Sequence, residues 1–352
     1  MRIFAVLIIL SCIVNESLGQ HLPRISPNIS RIKRASKVNI SNSQVVSSDT
    51  VSESSFRKKR VPDTCKVGIF VIQITDLDYQ HLSYNTDFWM WFLTKSDSLS
   101  PLSSVTISNA KDYLMSQQSI ERKADWVWSS QECKATINKT WRIGNFPFDH
   151  QRLKIIIEEA QRDTQSLVYI ADSLESKISK NLVLDGWRIN RMTVRSVTQK
   201  YETNYGDPTL HNGSAYPSIE AVIELHRDGF GLFLKMFIGV YVAFLISMAA
   251  FFFNSGVDAR FSLAVGALFA AVANKYIADS YLPPTVQFTL VDKVHAVTFI
   301  FILLTIFISV FEMLHSRKTG SIKAKVFDRY AVIGVMLIYF SINGYFILNA
   351  IW

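Results

Sequence analysis

Four apolar segments end the sequence, at about residues 232–253, 259–281, 294–314 and 330–351. Each approaches the ~20 residues that an α-helix needs to cross the hydrocarbon core of a bilayer. Backbone N–H and C=O groups in lipid must be satisfied within the chain, so segments of this kind are expected to be transmembrane helices. The high apolar content, 49% of 352 residues, fits a protein that is membrane-embedded over much of its length.

Orientation follows from two independent signals. Met1 to Val14 opens with Arg2 and continues as an apolar run, and Ser17-Leu18-Gly19 offers small residues for cleavage. The run is too short to span comfortably, so residues 1–19 read as a signal peptide that delivers the following domain to the outside. Lys and Arg give the same answer. Arg317, Lys318, Lys323, Lys325 and Arg329 crowd a short loop expected between the last two spans, whereas the connection before the third span holds Lys293 beside Asp292. Positive residues stay inside, which puts the last connection in the cytoplasm and both the N-terminal domain and the C-terminus outside a plasma or bacterial inner membrane.

The net charge of +8 does not imply a nucleic-acid partner. The basic residues sit in the last connection and in an N-terminal stretch, not in one patch interleaved with aromatics. Residues 20–60 are rich in Ser, Asn and Lys with hardly an aromatic, which predicts a flexible leader. Its end, Arg57-Lys58-Lys59-Arg60, reads either as a processing site or as a solvated charge run.

Between residues 61 and 228 the pattern becomes short runs of β-branched and aromatic residues separated by turn residues. They are Val67 to Thr75, Thr86 to Thr94, Trp126 to Trp128, Leu153 to Glu158, Leu167 to Ala171, Trp187 to Thr198 and Ser218 to His226. Many short strands at this spacing predict a β-sandwich. The expected architecture is therefore β plus membrane α: an extracellular immunoglobulin-like β-sandwich over 61–228, then a four-helix transmembrane bundle over 229–352. Cys65 and Cys133 remain after signal removal, and their spacing leaves open whether they pair.

The second span carries the functional signal. At ~100° per residue, Asp258, Ser262, Gly266, Phe269, Ala273, Tyr276 and Ser280 fall within one stripe of about 80°. Phe261, Leu263, Val265, Leu268 and Val272 occupy the other faces. A lipid-facing helix has no need of a small and polar stripe. Around an axis of several copies it would line a pore, with Asp258 repeated as a cytoplasmic carboxylate ring that attracts monovalent cations. Arg260 is turned off the stripe, Phe269 forms an apolar constriction near mid-membrane, and Tyr276 offers a second one. Lys275 and Asn274 are expected to reach intersubunit or interfacial partners. The bland alternative is close helix packing by small residues, which would leave a membrane-anchored receptor that conducts nothing.

Enzymatic signatures are missing from the sequence. It has no nucleophile-elbow Ser, metal-spaced His pair or phosphate loop, so no catalysis, cofactor or bound metal is expected. Glu158 and Glu159 should point to opposite faces of a strand, accounted for by packing and solvent.

Phe146-Pro147-Phe148-Asp149-His150-Gln151, set between a β-rich region and four spans, resembles the signature loop of pentameric ligand-gated ion channels. Lys139 and Leu153 stand where animal members carry bracketing cysteines, a departure similar to the bacterial branch. Gly68-Ile69-Phe70 through Asp76-Leu77-Asp78, Gly186-Trp187, Leu282-Pro283-Pro284 and the short final connection are further points of similarity. The resemblance runs from about Val61 to Trp352 and implies a homo-oligomer of five subunits embedded among membrane lipids and gated from outside.

It also implies where gating and binding occur. Asp149 and Arg227 should meet where the two domains join, with Asp78, Pro283 and Pro284 completing the contact. A small agonist should bind between subunits under the hairpin from about Tyr201 to Tyr216. Tyr201, Tyr205 and Tyr216 would offer aromatic walls to an amine, with Trp89 or Trp91 supplied by the neighbouring subunit. Protons are the other candidate stimulus, since His150, His226 and His295 are expected near the junction.

Overall fold

The computed structural model describes residues 61–95, 99–206, 213–252, 257–283, 287–319 and 321–352, without the side chains of 257–259, 312–319 and 321–329. The expected signal peptide and leader, Pro284, the Asp258 side chain and the tip of the tyrosine hairpin lie outside the described residues.

Among the described residues ten strands come first: β1 Asp63–Asp78, β2 Ser83–Thr94, β3 Val105–Ile107, β4 Ala110–Lys123, β5 Trp126–Asn138, β6 His150–Glu159, β7 Leu167–Ala171, β8 Lys177–Ile178, β9 Trp187–Tyr201 and β10 Ser214–Arg227. One sheet runs β4-β5-β2-β1-β7, with β8 also on β1, and the other runs β3-β6-β10-β9. Alternation along the strands makes the core. β2 turns Tyr84, Phe88, Met90 and Phe92 inward beside Val67, Ile69 and Val71 of β1, while β6 and β10 contribute Leu153, Ile155, Ile157, Ile219, Ala221 and Ile223 to the same apolar cluster. The result is a β-sandwich-like region. Phe92 is fully buried there, and its truncation to Ala would cost about 3–5 kcal/mol.

The other face of β2 explains why Phe88-Trp89-Met90-Trp91-Phe92 is apolar on both sides. Trp91 lies over Gly68, where a Cβ would stand 2.2 Å from the indole ring, and donates its Nε1 to Asp172 at 3.2 Å. Only glycine admits that approach. Cys65 and Cys133 are both buried and free, so no disulfide joins them.

Four helices follow: α1 Phe230–Ala249, α2 Val257–Asp279, α3 Leu290–Thr319 and α4 Ser321–Ile351. Each contains a stretch long and apolar enough to cross a membrane. A one-turn 3₁₀ helix, Ala250–Phe252, extends α1. Helix α3 begins with a reciprocal cap. Thr289 donates its N and Oγ1 to the Asp292 carboxylate at 2.8 and 2.7 Å, and the Asp292 N donates back to Thr289 Oγ1 at 3.3 Å. The basic stretch expected as a loop is instead helical backbone, with Arg317 and Lys318 in the last turn of α3 and Lys323, Lys325 and Arg329 in the first turns of α4.

Candidate functional site

Strand β6 begins one residue after Asp149, and β10 ends on Arg227. Their antiparallel register brings the two together: the Arg227 N donates to the Asp149 carbonyl at 3.2 Å, and Arg227 Nε donates to Asp149 Oδ1 at 2.6 Å. The side chains are 12% and 1% exposed, so this is a desolvated pair and not a solvated surface one. The remaining Asp149 oxygen accepts from Gln151 Nε2 at 2.6 Å and from the Tyr79 hydroxyl at 3.3 Å. Tyr79 also accepts from Arg227 Nη2. Burial, then the neighbouring Asp149, holds the Tyr79 phenol far above its ordinary pKa, which keeps it a donor.

Aromatic rings enclose the guanidinium. Its carbon lies 4.0 Å from the Trp187 ring centroid, 4.9 Å from Phe146 and 5.2 Å from Tyr79. Stacking on faces of this kind suits the flat guanidinium better than an ammonium.

The same loop touches the helices. Phe148 packs on Phe233 of α1 with centroids 5.5 Å apart, and the Leu290 N at the start of α3 donates to the Gly144 carbonyl at 2.9 Å. Pro147, which follows a cis peptide bond, brings its carbonyl to 1.9 Å from where a Cβ on Gly229 would stand. Any larger residue at 229 would push the loop off α1.

Asp78, expected at this junction, does something else. Its carboxylate closes its own turn by accepting from the His81 N and Nδ1, each at 2.7 Å. Those two bonds, the backbone one first, hold its pKa below the usual carboxylate range. Gln80 makes the crossing contact instead, donating Nε2 to the Leu282 carbonyl at 3.0 Å. Beneath it a cavity of about 430 Å³ is lined by residues that include Lys275, Asp279, Pro283 and Asp292.

Helix α2 has two unlike sides. Ala264, Ala267, Ala271 and Ala278 are 0–2% exposed and form the seam against its neighbours. Ser262, Gly266, Phe269, Ala273, Tyr276 and Ser280 are all exposed, Phe269 and Tyr276 by 71% and 76%. By helix geometry this stripe lies opposite the alanine seam. Small residues on α2 do serve close packing, but they are a different set from the stripe.

Lys275 and Asn274 have partners within the chain. Lys275 pairs with Asp279 one turn on and with Asp292 of α3 at 2.9 Å. The Asn274 side-chain oxygen lies 3.1 Å from His295 Nε2, which places His295 within the helices, away from His150 and His226.

At the far end of β9 and β10 the three tyrosines converge. Tyr201, Tyr205 and Tyr216 have ring centroids 5.8–6.4 Å apart, each pair near edge-to-face. Tyr201 donates its hydroxyl to Glu158 Oε1 at 2.7 Å. Glu158 is 4% exposed, and its Oε2 has no hydrogen-bond partner among the described residues. Burial, then this hydrogen bond, raises the Tyr201 pKa. Glu159 points the other way into the core, where it accepts from Ser104 Oγ at 2.8 Å and Tyr169 at 3.0 Å. The two glutamates do take opposite faces, but neither reaches solvent. Trp91 is engaged with Asp172, while Trp89, two residues away on the same face, is 37% exposed.

Sequence reading did not single out Tyr79 or Gln80, and it named Gln151, Trp187 and Glu158 without giving them a role in a site. Tyr79 and Gln80 sit beside the resemblance-bearing turn that ends in Asp78, and Glu158 directly follows the apolar run of β6. Those positions were the available signal. No known family model matches the chain, and neither does any curated protein.

Proposed function

We propose that the chain is one subunit of a pentameric, cation-selective ligand-gated channel. In this reading an extracellular immunoglobulin-like sandwich drives a four-helix bundle across the Asp149–Arg227 junction. The observation that carries it is the two-sidedness of α2. A helix that seals to its own subunit through alanines and leaves Ser262, Gly266, Phe269, Ala273, Tyr276 and Ser280 outside that packing presents a surface suited to a shared axis. Five copies would give rings of hydroxyl, glycine and aromatic groups, with Phe269 as the dewetting constriction and Asp258 at the cytoplasmic mouth.

The stimulus in this reading is a small organic amine. Glu158 supplies a buried carboxylate oxygen without a partner among the described residues, and Tyr201, which donates to its other oxygen, belongs to a cluster of three tyrosine rings. That combination favours an ammonium group, with Trp89 of the adjacent subunit as a further wall. Purified protein in planar bilayers, challenged with an amine series in a salt gradient, should pass current that reverses near the cation equilibrium potential. Asp258→Lys should shift that reversal towards the anion potential, and an unshifted reversal would remove Asp258 from the selectivity filter.

A further inference from the structure

The outer face of the β3-β6-β10-β9 sheet carries a second pair beside the junction. His150 of β6 stands directly opposite His226 of β10. His226 Nδ1 and His150 Nε2 are 2.7 Å apart, with ring centroids 4.3 Å apart. Two imidazole nitrogens at that distance share one proton: one ring donates and the other offers its lone pair.

A metal ion can take the place of that proton. Zn²⁺ holds imidazole nitrogens at about 2.0–2.1 Å in a tetrahedral shell, which sets two of them ~3.3 Å apart. The pair here is ~0.6 Å closer than that ideal, a gap that small ring rotations close. His150 is exposed and His226 half-buried, so the rings have room. The ladder on one side and the Arg227 N–Asp149 carbonyl bond on the other fix the two backbones, and the chelate is therefore largely preorganised.

The surrounding charges argue for a nitrogen-seeking ion. Asp228 is held by Arg188 at 3.0 Å. On the next rung Glu224 is shared by Arg191 at 2.7 Å and Arg152 at 3.4 Å. These carboxylates are already neutralised and would not attract Ca²⁺ or Mg²⁺, which need several oxygen ligands. Imidazoles favour the later first-row ions.

We propose that His150 and His226 form a two-imidazole site for a borderline transition-metal ion of the Zn²⁺ class, with water completing the shell. The site has a mechanical consequence. His150 follows Asp149 in the chain, and His226 precedes Arg227. An ion bridging the histidines pins the same two strand ends that carry the buried pair. Modulation of gating by the ion rests on the channel reading above, whereas binding of the ion does not.

The test is a Zn²⁺ titration of the purified full chain by calorimetry in a non-coordinating buffer, for the wild type, His150→Ala and His226→Ala. The wild type should bind one Zn²⁺ per chain. Each variant should lose at least the ~10-fold in affinity typical of losing even an outer partner of a ligand, and Ca²⁺ in excess should not compete. A footprint on the wild type covers the case of a variant that does not fold: Zn²⁺ should protect His150 and His226 together from diethylpyrocarbonate, read by mass spectrometry. Unchanged Zn²⁺ affinity in both variants, or no protection of the pair, would overturn the site. Neither readout needs a current, so an absence of conductance would count against the channel alone.

Discussion

Arg227 and Asp149 are joined twice, through the backbone at 3.2 Å and through the side chains at 2.6 Å, at the point where the last strand hands over to the first helix. Their burial changes what a mutation there should do. Removing one member of a buried pair leaves the other charged and without its partner, which costs about 3–5 kcal/mol. Asp149→Ala should therefore lower folding stability by that order in denaturant titrations and, in the proposed channel, silence gating. Asp149→Asn, which keeps the shape and the bonds to Gln151 and Tyr79, should retain more stability while still losing the charge. A double-mutant cycle with Arg227→Met should return a coupling of about 2 kcal/mol or more, and a coupling near zero would reduce the pair to a surface contact.

The tyrosine cluster gives a second expectation. Glu158→Gln removes the charge that would meet an ammonium, and a hydrogen bond to a charged group contributes roughly 1.5–3 kcal/mol. Amine binding measured by calorimetry should weaken by about tenfold or more. Tyr201→Phe removes the donor to Glu158 Oε1 and leaves the carboxylate in place, so it should weaken binding less. Equal losses in the two variants would favour a packing role for Glu158 over a direct contact.

Lys139 yields a pH dependence with a definite sign. Burial, then the neighbouring Arg142, pushes its pKa down to about 8, with Asp149 opposing the shift. The unfolded chain holds that proton up to about pH 10.4. Between pH 8 and 10 the unfolded state thus binds more protons than the folded state, and stability should rise with pH across that window. Thermal unfolding of the wild type should improve from pH 7.5 to 9.5 relative to Lys139→Met, which lacks the titrating group. A constant difference between the two would show that the ammonium is not strained by its surroundings.

These relationships were unevenly legible in the sequence. Alternation exposed β1, β2, β6, β7, β9 and β10 because each buries one face. β4 left no such trace. Its residues from Ala110 to Lys123 are exposed apart from half-buried Ala110 and Met115, so no apolar period could mark it. The span pattern located all four helices, but hydropathy stops where apolar character stops. It could not show that α3 and α4 continue through Arg317, Lys318, Lys323, Lys325 and Arg329.

The stripe on α2 was readable because it depends only on helix period and residue size. The partners of Lys275, Asn274 and Glu158 were not, since Asp292, His295 and Tyr201 are distant in sequence and meet only through tertiary packing. The His150–His226 pair belongs to the same class. A strand register created it, and no local spacing announces a register.

In the proposed channel the exposed stripe of α2 faces water and ions while its alanine seam does not. The native cysteines leave this open to a direct measurement, because Cys12 lies in the expected signal peptide and Cys65 and Cys133 are buried, with thiols pushed up to about 12 by that burial, which makes them poor targets. Single cysteines placed at Ser262 and Ala273, and as controls at Ala264 and Ala271, can be exposed to a water-borne thiol reagent during bilayer recording. Block at Ser262→Cys and Ala273→Cys, with Ala264→Cys and Ala271→Cys untouched, is the predicted result. A current indifferent to modification at the stripe, or no current in any of the proteins, would contradict a pore lined by this helix.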